Sequence, residues 1–216
     1  MTKSYAVLGL GRFGKKVAQA LIDGNADVLV ADRVSEAVNQ FRHTAANAVI
    51  ADLSNEDALR SLDLDSVDTV IITMGENLEA SIMAAMVSKE LGVSKIIAKV
   101  SSKRMGEILL KVGADEIIIP EEDAASRTAK RLLSDTFLDY YDFGDQLSLV
   151  EMYPKPAWIG KTLKELNLRR EEGINVVAIR DNGSSFVHIS GDTVLTKSSE
   201  MLIVAEKEEL KKLDQK

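Results

Sequence analysis

Gly9-Leu10-Gly11-Arg12-Phe13-Gly14 is a glycine-rich stretch between an apolar run, Tyr5–Leu8, and an apolar helical pattern that begins near Val17. This order of strand, G-x-G-x-x-G and helix is typical of dinucleotide-binding folds. We expect Gly9 to permit a tight turn, Gly11 to let a pyrophosphate approach the backbone, and Gly14 to let the helix pack closely on the strand. N–H groups at the start of that helix would then face the anion.

Strand patterns and helical patterns alternate over the first two thirds of the chain. The predicted strands are Tyr5–Leu8, Val28–Ala31, Ala48–Ala51, Thr69–Thr73, Ile96–Val100 and Glu116–Ile119. The predicted helices are Lys15–Ile22, Glu36–Arg42, Glu56–Leu62, Leu78–Leu91 and Arg104–Val112. This alternation predicts an α/β fold with a Rossmann-like, doubly wound parallel sheet.

The pattern changes after Pro120, where a long helix is predicted from about Glu122 to Tyr140. Its apolar stripe would pack on its own domain or on another subunit. The segment Tyr141–Asp145 is predicted to be a linker to a small α+β domain. That domain would contain strands Leu147–Tyr153, Ile174–Arg180, Ser185–Ile189 and Met201–Ala205, the helix Leu163–Leu166, a hairpin turn at Asp181-Asn182-Gly183, and a charged helix or tail over 206–216.

Composition limits the class of protein. The chain has 216 residues, of which 45% are hydrophobic and 28% charged, as in soluble globular proteins of one or two domains. The net charge of −7 argues against a nucleic-acid-binding surface. There are no cysteines, so disulfides and cysteine-ligated metals are excluded. No apolar run reaches the roughly 20 residues that span a bilayer, and no signal peptide is expected, so a membrane role would work through a partner.

Two aspartates follow predicted strands at the edge where ligands bind in open α/β sheets. Asp32 lies 18 residues after Gly14, where a carboxylate accepts hydrogen bonds from ribose hydroxyls and repels the 2′-phosphate of NADP. Its alternative role is to cap the next helix. Asp52 would contact an adenine amino group or cap the helix near Asn55. We add their neighbours Arg33 and Leu53 to the candidate contacts.

The remaining candidates surround the glycine loop and the ends of later strands. Arg12 and its neighbour Phe13 lie inside the loop, and an arginine there would clamp phosphates or form a surface ion pair. The loop Thr73-Met74-Gly75-Glu76-Asn77 would pass over the ligand, with Thr73, Met74 and Gly75 as its contacts. Lys99 would reach a phosphate, and Glu121 would bind a cation beside the phosphates or simply begin a helix.

No catalytic group of residues is recognisable. The two histidines, His43 and His188, belong to no metal-spaced cluster, and the serines lie in no nucleophile motif. We therefore expect a binding protein and not an enzyme. An NAD-dependent oxidoreductase and an NADH-binding sensor stay open as alternatives, because Asp32 favours an unphosphorylated ribose.

The order of these motifs resembles the RCK family (regulators of potassium conductance). The resemblance rests on the glycine loop, Asp32, Asp52-Leu53-Ser54, Lys99, and Ile119-Pro120-Glu121, with a second module marked by Trp158–Leu163 and Gly173–Ile179. It is greatest to the cytosolic subunits of bacterial Ktr-type potassium uptake systems. It implies a nucleotide-binding domain with a crossover helix over 1–135 and a C-terminal domain over 136–216.

The resemblance implies a nucleotide-sensing function. Such subunits bind ATP or ADP at the glycine loop, and Arg12 matches an arginine that reaches a neighbouring subunit's terminal phosphate. Glu121 matches the acid of an intersubunit divalent-cation site for Mg²⁺ or Ca²⁺. Relatives form homo-oligomeric, octameric rings in the cytoplasm, at the inner face of the membrane under a potassium-translocating subunit. In several, the C-terminal domain binds cyclic di-AMP, with contacts expected at Arg169 and Asn175.

Overall fold

The computed structural model describes residues 3–144 and 146–214, which divide into two compact units. The first ends at Glu121 and the second begins at Glu122. The domain boundary predicted from the RCK resemblance lies later, after residue 135, because that resemblance counts the helix after Pro120 with the nucleotide-binding domain. No helix in the described part of the chain is long and apolar enough to cross a membrane.

The first unit is a parallel α/β sheet. Its strands are β1 (Ser4–Leu8), β2 (Asp27–Asp32), β3 (Asn47–Ile50), β4 (Thr69–Ile72), β5 (Lys95–Lys99) and β6 (Glu116–Ile118). Its helices are α1 (Arg12–Asp23), α2 (Ser35–Asn39), α3 (Glu56–Arg60), α4 (Leu78–Glu90) and α5 (Lys103–Val112). The order β3-β2-β1-β4-β5-β6 confirms the predicted doubly wound topology.

Strand β1 lies at the point where the direction of winding reverses. Leu8, its last residue, pairs with Ala31 of β2 on one side and with Ile72 of β4 on the other. The carboxyl ends of these three strands therefore meet at one edge of the sheet. Ligands of open α/β sheets bind in the crevice at such a switch point.

Helices cover both faces of the sheet, so successive residues of a central strand enter different cores. Ala6 and Leu8 are fully buried with Leu59 and Ile96 on one face, whereas Val7 is fully buried with Val30 on the other. This explains why the strands are apolar at nearly every position rather than at alternate ones.

The second unit combines a helix with a small antiparallel domain. Its elements are α6 (Pro120–Leu133, beginning two residues before the unit itself), β7 (Phe137–Phe143), β8 (Leu147–Met152), α7 (Leu163–Leu166), α8 (Leu168–Glu171), β9 (Asn175–Asp181), β10 (Ser199–Glu206) and α9 (Lys207–Asp214). The sheet order is β7-β8-β10-β9. The core includes Met152, Ile174, Met201 and Ile203, all fully buried, which confirms the predicted α+β domain.

The predicted helix to Tyr140 is wrong in its last turns. Helix α6 ends at Leu133, and Phe137–Phe143 is strand β7, paired antiparallel with β8. The predicted linker is therefore the end of β7 and the turn at Gly144, whose φ is 66°; Asp145 lies outside the described residues. Aromatic side chains at positions 137, 140, 141 and 143 favour a strand once β8 is available to pair with it.

The predicted strand Ser185–Ile189 is also wrong. Val187 forms a single antiparallel bridge with Ile179, in which each N–H donates to the other residue's carbonyl, and no regular strand follows. The turn before it has the expected geometry, because Asn182 and Gly183 have φ values of 51° and 69°. The hairpin turn therefore forms as predicted, but the two segments pair through only one pair of backbone hydrogen bonds, between Ile179 and Val187.

Candidate functional site

A cavity of about 810 Å³ opens at the carboxyl ends of the parallel strands. It lies wholly within residues of the first unit. Of the predicted nucleotide contacts, those that line it are Gly9, Gly11, Arg12, Phe13, Asp32, Arg33, Asp52, Leu53, Thr73, Met74, Gly75, Lys99 and Glu121. Gly14 does not line it, because this residue is buried behind the loop. The fold therefore gathers residues that lie at or just after the carboxyl ends of all six strands around one space.

The three glycines have different surroundings. Gly9 has a left-handed φ of 98°, which a side chain would strain. A Cβ built on Gly14 would lie 2.1 Å from the Gly9 carbonyl oxygen, so only glycine lets α1 approach β1 this closely. A Cβ on Gly11 would meet nothing within 4 Å. Packing within the chain thus explains Gly9 and Gly14, whereas Gly11 leaves open space beside the cavity.

Helix α1 presents a positive end to this space. Gly11 is its N-cap, with no side chain to satisfy the first N–H groups, and the first turn contains no acid. Unpaired N–H groups and the helix dipole both favour an anion at this position. Arg12 and Lys16, one turn apart and exposed, add two formal charges at the cavity wall.

The loop after β4 supports the glycine loop. Thr73 is buried, and its Oγ1 donates a hydrogen bond to the Gly9 carbonyl oxygen at 2.6 Å. Asn77 caps α4, since its Oδ1 accepts the Ala80 N–H at 3.1 Å. Thr73 therefore positions the turn, and its hydroxyl is already engaged with protein.

The carboxylate of Asp32 is held by two backbone N–H groups, one in the glycine loop and one just after β2. Its Oδ2 accepts the Leu10 N–H at 2.5 Å, and its Oδ1 accepts the Val34 N–H at 2.8 Å. Asp32 is not the N-cap of α2, which is Val34, so the alternative role as a helix cap is wrong. Each carboxylate oxygen keeps a further acceptor site for a ribose hydroxyl.

Asp52 has an exposed carboxylate at the end of β3. Its Oδ1 accepts from the Ser54 hydroxyl at 2.7 Å and from the Ser54 N–H at 3.1 Å. These hydrogen bonds, together with the nearby charge of Arg33, hold the pKa of Asp52 below its usual value. Asn55 caps α3 by accepting the Ala58 N–H, so Asp52 is not the helix cap either.

Lys99 and Glu121 form an ion pair on the opposite wall. The Lys99 Nζ lies 2.8 Å from Glu121 Oε1, with the lysine side chain 14% exposed and the glutamate 67% exposed. The hydrogen bond from Lys99, with the charges of Lys99 and Arg12, lowers the pKa of Glu121. Glu121 is therefore ionised at neutral pH.

Different chemistry predominates in two parts of the cavity, although Arg33 lies near Asp52 and Glu121 pairs with Lys99. Cationic side chains and the α1 N-terminus lie around the glycine loop, where they suit a chain of phosphates. Carboxylates at the ends of β2 and β3 suit the hydroxyl and amino donors of a ribose and a base. No histidine is among the residues described around the cavity. The arrangement suits binding of a nucleotide through both of its ends.

Six residues that line the cavity are not among the predicted contacts: Lys16, Val34, Ser54, Glu76, Asn77 and Ala80. Lys16 could have been predicted from the sequence, because it follows Arg12 by four residues and therefore lies on the same face of the helix. Val34 and Ala80 have no chemical signature. Their position depends on how the loops after β2 and β4 fold over the sheet edge.

The structure contains no preformed metal site in the part of the chain that it describes: no three His, Asp or Glu side chains there could hold an ion together. The Glu121 carboxylate is held by Lys99 instead. A divalent cation at Glu121 would need further ligands from a nucleotide or another subunit, and it stays a prediction.

Arg169 and Asn175 belong to the second unit and are not among the residues that line this cavity. Arg169 belongs to α8 and Asn175 begins β9, and both side chains are exposed. The short turn at Gly173, with a φ of 70°, joins the two elements. Cyclic di-AMP binding at these residues stays a prediction.

Comparison with known proteins identifies the family. The model of the TrkA-N domain matches residues 5–120, and that of the TrkA-C domain matches residues 147–216. The chain is 36% identical over 204 residues to Ktr system potassium uptake protein C of Bacillus subtilis, covering 94% of this chain and 92% of that protein. The chain belongs to the Ktr family. It is also 34% identical over 178 residues to Ktr system potassium uptake protein A of Vibrio alginolyticus, covering 82% and 81% of the two chains.

Solved structures share the fold of this Ktr-family chain. The RCK domain of GsuK matches with a TM-score of 0.67 at 18% identity, covering 100% of this chain and 47% of that one. The GsuK channel bound to NAD matches with a TM-score of 0.65 at 19% identity, covering 97% and 38%. The chain spans less than half the length of either. The predicted resemblance to RCK domains is confirmed.

Proposed function

We propose that this chain is a nucleotide-sensing regulatory subunit of a Ktr-type potassium uptake system. It binds ATP or ADP in the cavity of the first unit. The difference between the two nucleotides changes the conformation of a homo-oligomeric ring, and the ring controls a potassium-translocating membrane subunit. In this function the protein works on the cytoplasmic face of the membrane and catalyses no reaction.

The division of charge in the cavity carries this proposal. Arg12, Lys16 and the α1 N-terminus favour a polyphosphate at the glycine loop. Asp32 and Asp52 favour donors at the other end of the ligand. The open space at Gly11 supports a close approach of phosphate to backbone. The assignment to potassium uptake is supported by the relatives, which are potassium uptake proteins of Ktr systems.

A switch requires that ATP and ADP bind two ring shapes with different relative affinities, since a ligand with equal affinity for both shifts nothing. Arg12 is the residue assigned to this difference. Its side chain is exposed at the cavity mouth, where it can reach beyond its own subunit. A contact from Arg12 to a neighbouring subunit's terminal phosphate would exist with ATP and be lost with ADP.

The helix α6 supports assembly into dimers and rings. None of its described residues is buried, and Leu132 and Leu133 are 77% and 86% exposed. An amphipathic helix is stabilised mainly by packing its apolar face, so this one needs a partner surface. We propose that α6 is a crossover helix that packs on a second copy of the chain and belongs functionally with residues 1–135. An octameric ring of such dimers is part of the same proposal.

NADH is a second candidate ligand because of Asp32. A carboxylate at the end of β2 is the usual partner of an adenosine ribose with a free 2′-hydroxyl, which ATP, ADP and NADH all carry. The GsuK channel, which shares the fold, has been solved with NAD. In this alternative the protein senses redox state through the same cavity, or uses NAD in an oxidoreductase reaction.

The test is direct identification of the ligand. Native mass spectrometry of the purified protein gives the oligomer mass, and denaturation releases co-purified nucleotides for identification. Calorimetric titrations with ATP, ADP and NADH then give relative affinities. We expect tight binding of ATP and ADP to an octamer. Preferential binding of NADH would support the redox sensor, and NADH oxidation with a small-molecule substrate would refute the regulatory proposal.

A further inference from the structure

The ion pair between Lys99 and Glu121 joins the nucleotide cavity to the first turn of α6. Lys99 ends β5 and Glu121 is the second residue of α6, and both line the cavity. The lysine is the enclosed partner of the pair and the glutamate the exposed one. The carboxylate is therefore the group that can move.

Packing fixes the lysine stem. A Cβ built on Gly75 would lie 3.1 Å from the Lys99 carbonyl oxygen and 3.3 Å from Lys99 Cδ, so the stem runs against the loop after β4. The ammonium is thereby held at the cavity wall, 2.8 Å from Glu121 Oε1. The charge of Arg12, from the glycine loop, also acts on this carboxylate. A lysine that is already ordered loses little rotamer entropy when it binds an anion.

A phosphate that approaches Lys99 would meet a carboxylate already bound to it. Two anions a few ångströms apart repel each other, and the repulsion is stronger in a partly enclosed site than in water. Protonation does not remove the conflict at neutral pH, because Lys99 and Arg12 keep Glu121 ionised. Glu121 must therefore leave Lys99, or the phosphate binds more weakly.

We propose that Glu121 competes with the nucleotide's terminal phosphate for Lys99, so that binding of this phosphate releases Glu121 from its place at the start of α6. The inference rests on the proposed binding of nucleotides in this cavity. The competition grows with the charge and length of the phosphate chain, so Glu121 opposes ATP more than AMP. The contact that ties the first turn of α6 to Lys99 would therefore depend on whether a terminal phosphate is bound, and α6 is the helix that leads into the second unit.

The experiment compares nucleotide affinities of the full chain by calorimetry at neutral pH and constant ionic strength. EDTA is present, so that a divalent cation does not contribute. AMP, ADP and ATP are titrated into the wild type, Glu121→Gln, Asp123→Asn, Lys99→Met and the double variant of Lys99→Met with Glu121→Gln. Asp123→Asn removes the same charge two residues further along the first turn of α6, outside the cavity lining. Thermal unfolding checks each variant, and Glu121→Ala serves as a second variant.

We expect Glu121→Gln to bind ATP about fivefold more tightly, the upper range of one exposed ion pair, with AMP affinity unchanged. Asp123→Asn should match the wild type. In a Lys99→Met background the effect of Glu121→Gln on ATP should vanish, since the pair no longer exists.

Equal or weaker ATP binding by Glu121→Gln would overturn the inference, as would a gain that persists without Lys99. These results leave the proposed function intact, because they require that the wild type binds nucleotide. Failure of the wild type to bind AMP, ADP or ATP would refute the ATP-sensing function, and this inference with it.

Discussion

Gly11 and Gly14 are three residues apart, yet the structure requires glycine at them for different reasons. A Cβ at Gly14 meets the Gly9 carbonyl oxygen at 2.1 Å, whereas a Cβ at Gly11 meets no atom within 4 Å. One glycine is needed by the folded chain. The other leaves room that a phosphate would occupy.

Gly14→Ala should lower the free energy of unfolding by about 3 kcal/mol, since backbone on both sides of the contact must shift. Gly11→Ala should change it by less than about 1 kcal/mol, because its φ of −66° suits alanine. Gly11→Ala should nevertheless weaken nucleotide binding at least tenfold. Urea denaturation and calorimetry measure the two effects. A stable Gly14→Ala, or a Gly11→Ala with unchanged affinity, would contradict this assignment.

Arg12→Ala should abolish discrimination between ATP and ADP and leave ADP affinity close to that of the wild type. A hydrogen bond to a charged phosphate contributes about 2 kcal/mol, so we expect the ATP preference to fall more than tenfold. Scattering profiles of the oligomer with each nucleotide report ring shape. Lys16→Ala, one turn further along α1, also removes a cation from the cavity wall, so it separates general attraction of phosphates from the sensing role assigned to Arg12. If the Arg12 variant still changes shape between ATP and ADP, the sensing role belongs to another residue.

At the scale of elements, α6 is held to β7 by ion pairs rather than by burial. The Arg127 Nε lies 2.8 Å from Asp139 Oδ1, and its guanidinium stacks 3.9 Å from the centroid of the Tyr141 ring. Lys130 binds Asp142 one turn further along the helix. The two acids lie three residues apart on the strand and meet two cations three residues apart on the helix. The contact should therefore weaken as the ionic strength rises and as the pH falls.

Asp139 should contribute a measurable part of the acid sensitivity of the second unit. The hydrogen bond from Arg127 lowers its pKa from 3.8 to about 2. A carboxylate whose folded-state pKa is depressed stabilises the protein above its unfolded-state pKa, and this contribution is lost as the pH falls from about 4 to 2. After allowance for solvent screening we expect it to be about 1 kcal/mol. Urea unfolding of the wild type and Asp139→Asn between pH 6 and about 2 measures it.

The two unfolding curves should converge at low pH. If the two proteins differ in free energy of unfolding by the same amount at every pH in this range, protonation of Asp139 does not affect stability. Asp135→Asn is the control, since this exposed acid lies between α6 and β7.

The elements that the sequence predicted well are those with local signals. In the first unit, hydrophobic runs, helix caps such as Asn55 and Asn77, and the glycine loop each act within a few residues. The segment 136–143 failed because its apolar residues fit a helical period as well as a strand. Pairing with β8 decides between them, and that pairing is a tertiary contact.

At the scale of the whole molecule, exposed apolar residues of α6 predict self-association. Leu132→Ser with Leu133→Ser should reduce the oligomer to smaller species while the chain stays folded, because neither side chain is buried within it. Native mass spectrometry and circular dichroism measure the two properties. Arg131→Ser, an exposed neighbour on the same helix, should leave the oligomer unchanged. An intact octamer of the double variant would show that α6 is not an assembly surface.

The candidate site was predictable in its chemistry but not in its contacts. The glycine pattern, Asp32 and Lys99 predicted a common site at one edge of the sheet, because strand order in such sheets brings these positions together. The sequence did not reveal that Thr73 supports the glycine turn, that Asp32 is bound by Leu10 and Val34, or that Lys99 already holds an acid.

The sequence by itself determined the doubly wound sheet, the glycine loop, and the charges available at its edge, because periodicity and turn chemistry act over short stretches of chain. Tertiary structure alone decided that residues 137–143 form a strand and that Glu121 pairs with Lys99. The first depends on pairing with the neighbouring strand β8 and the second on an acid 22 residues further along the chain, and neither partner can be read from the segment itself. Both contacts cost loop entropy and form only when the rest of the fold holds the partners in place.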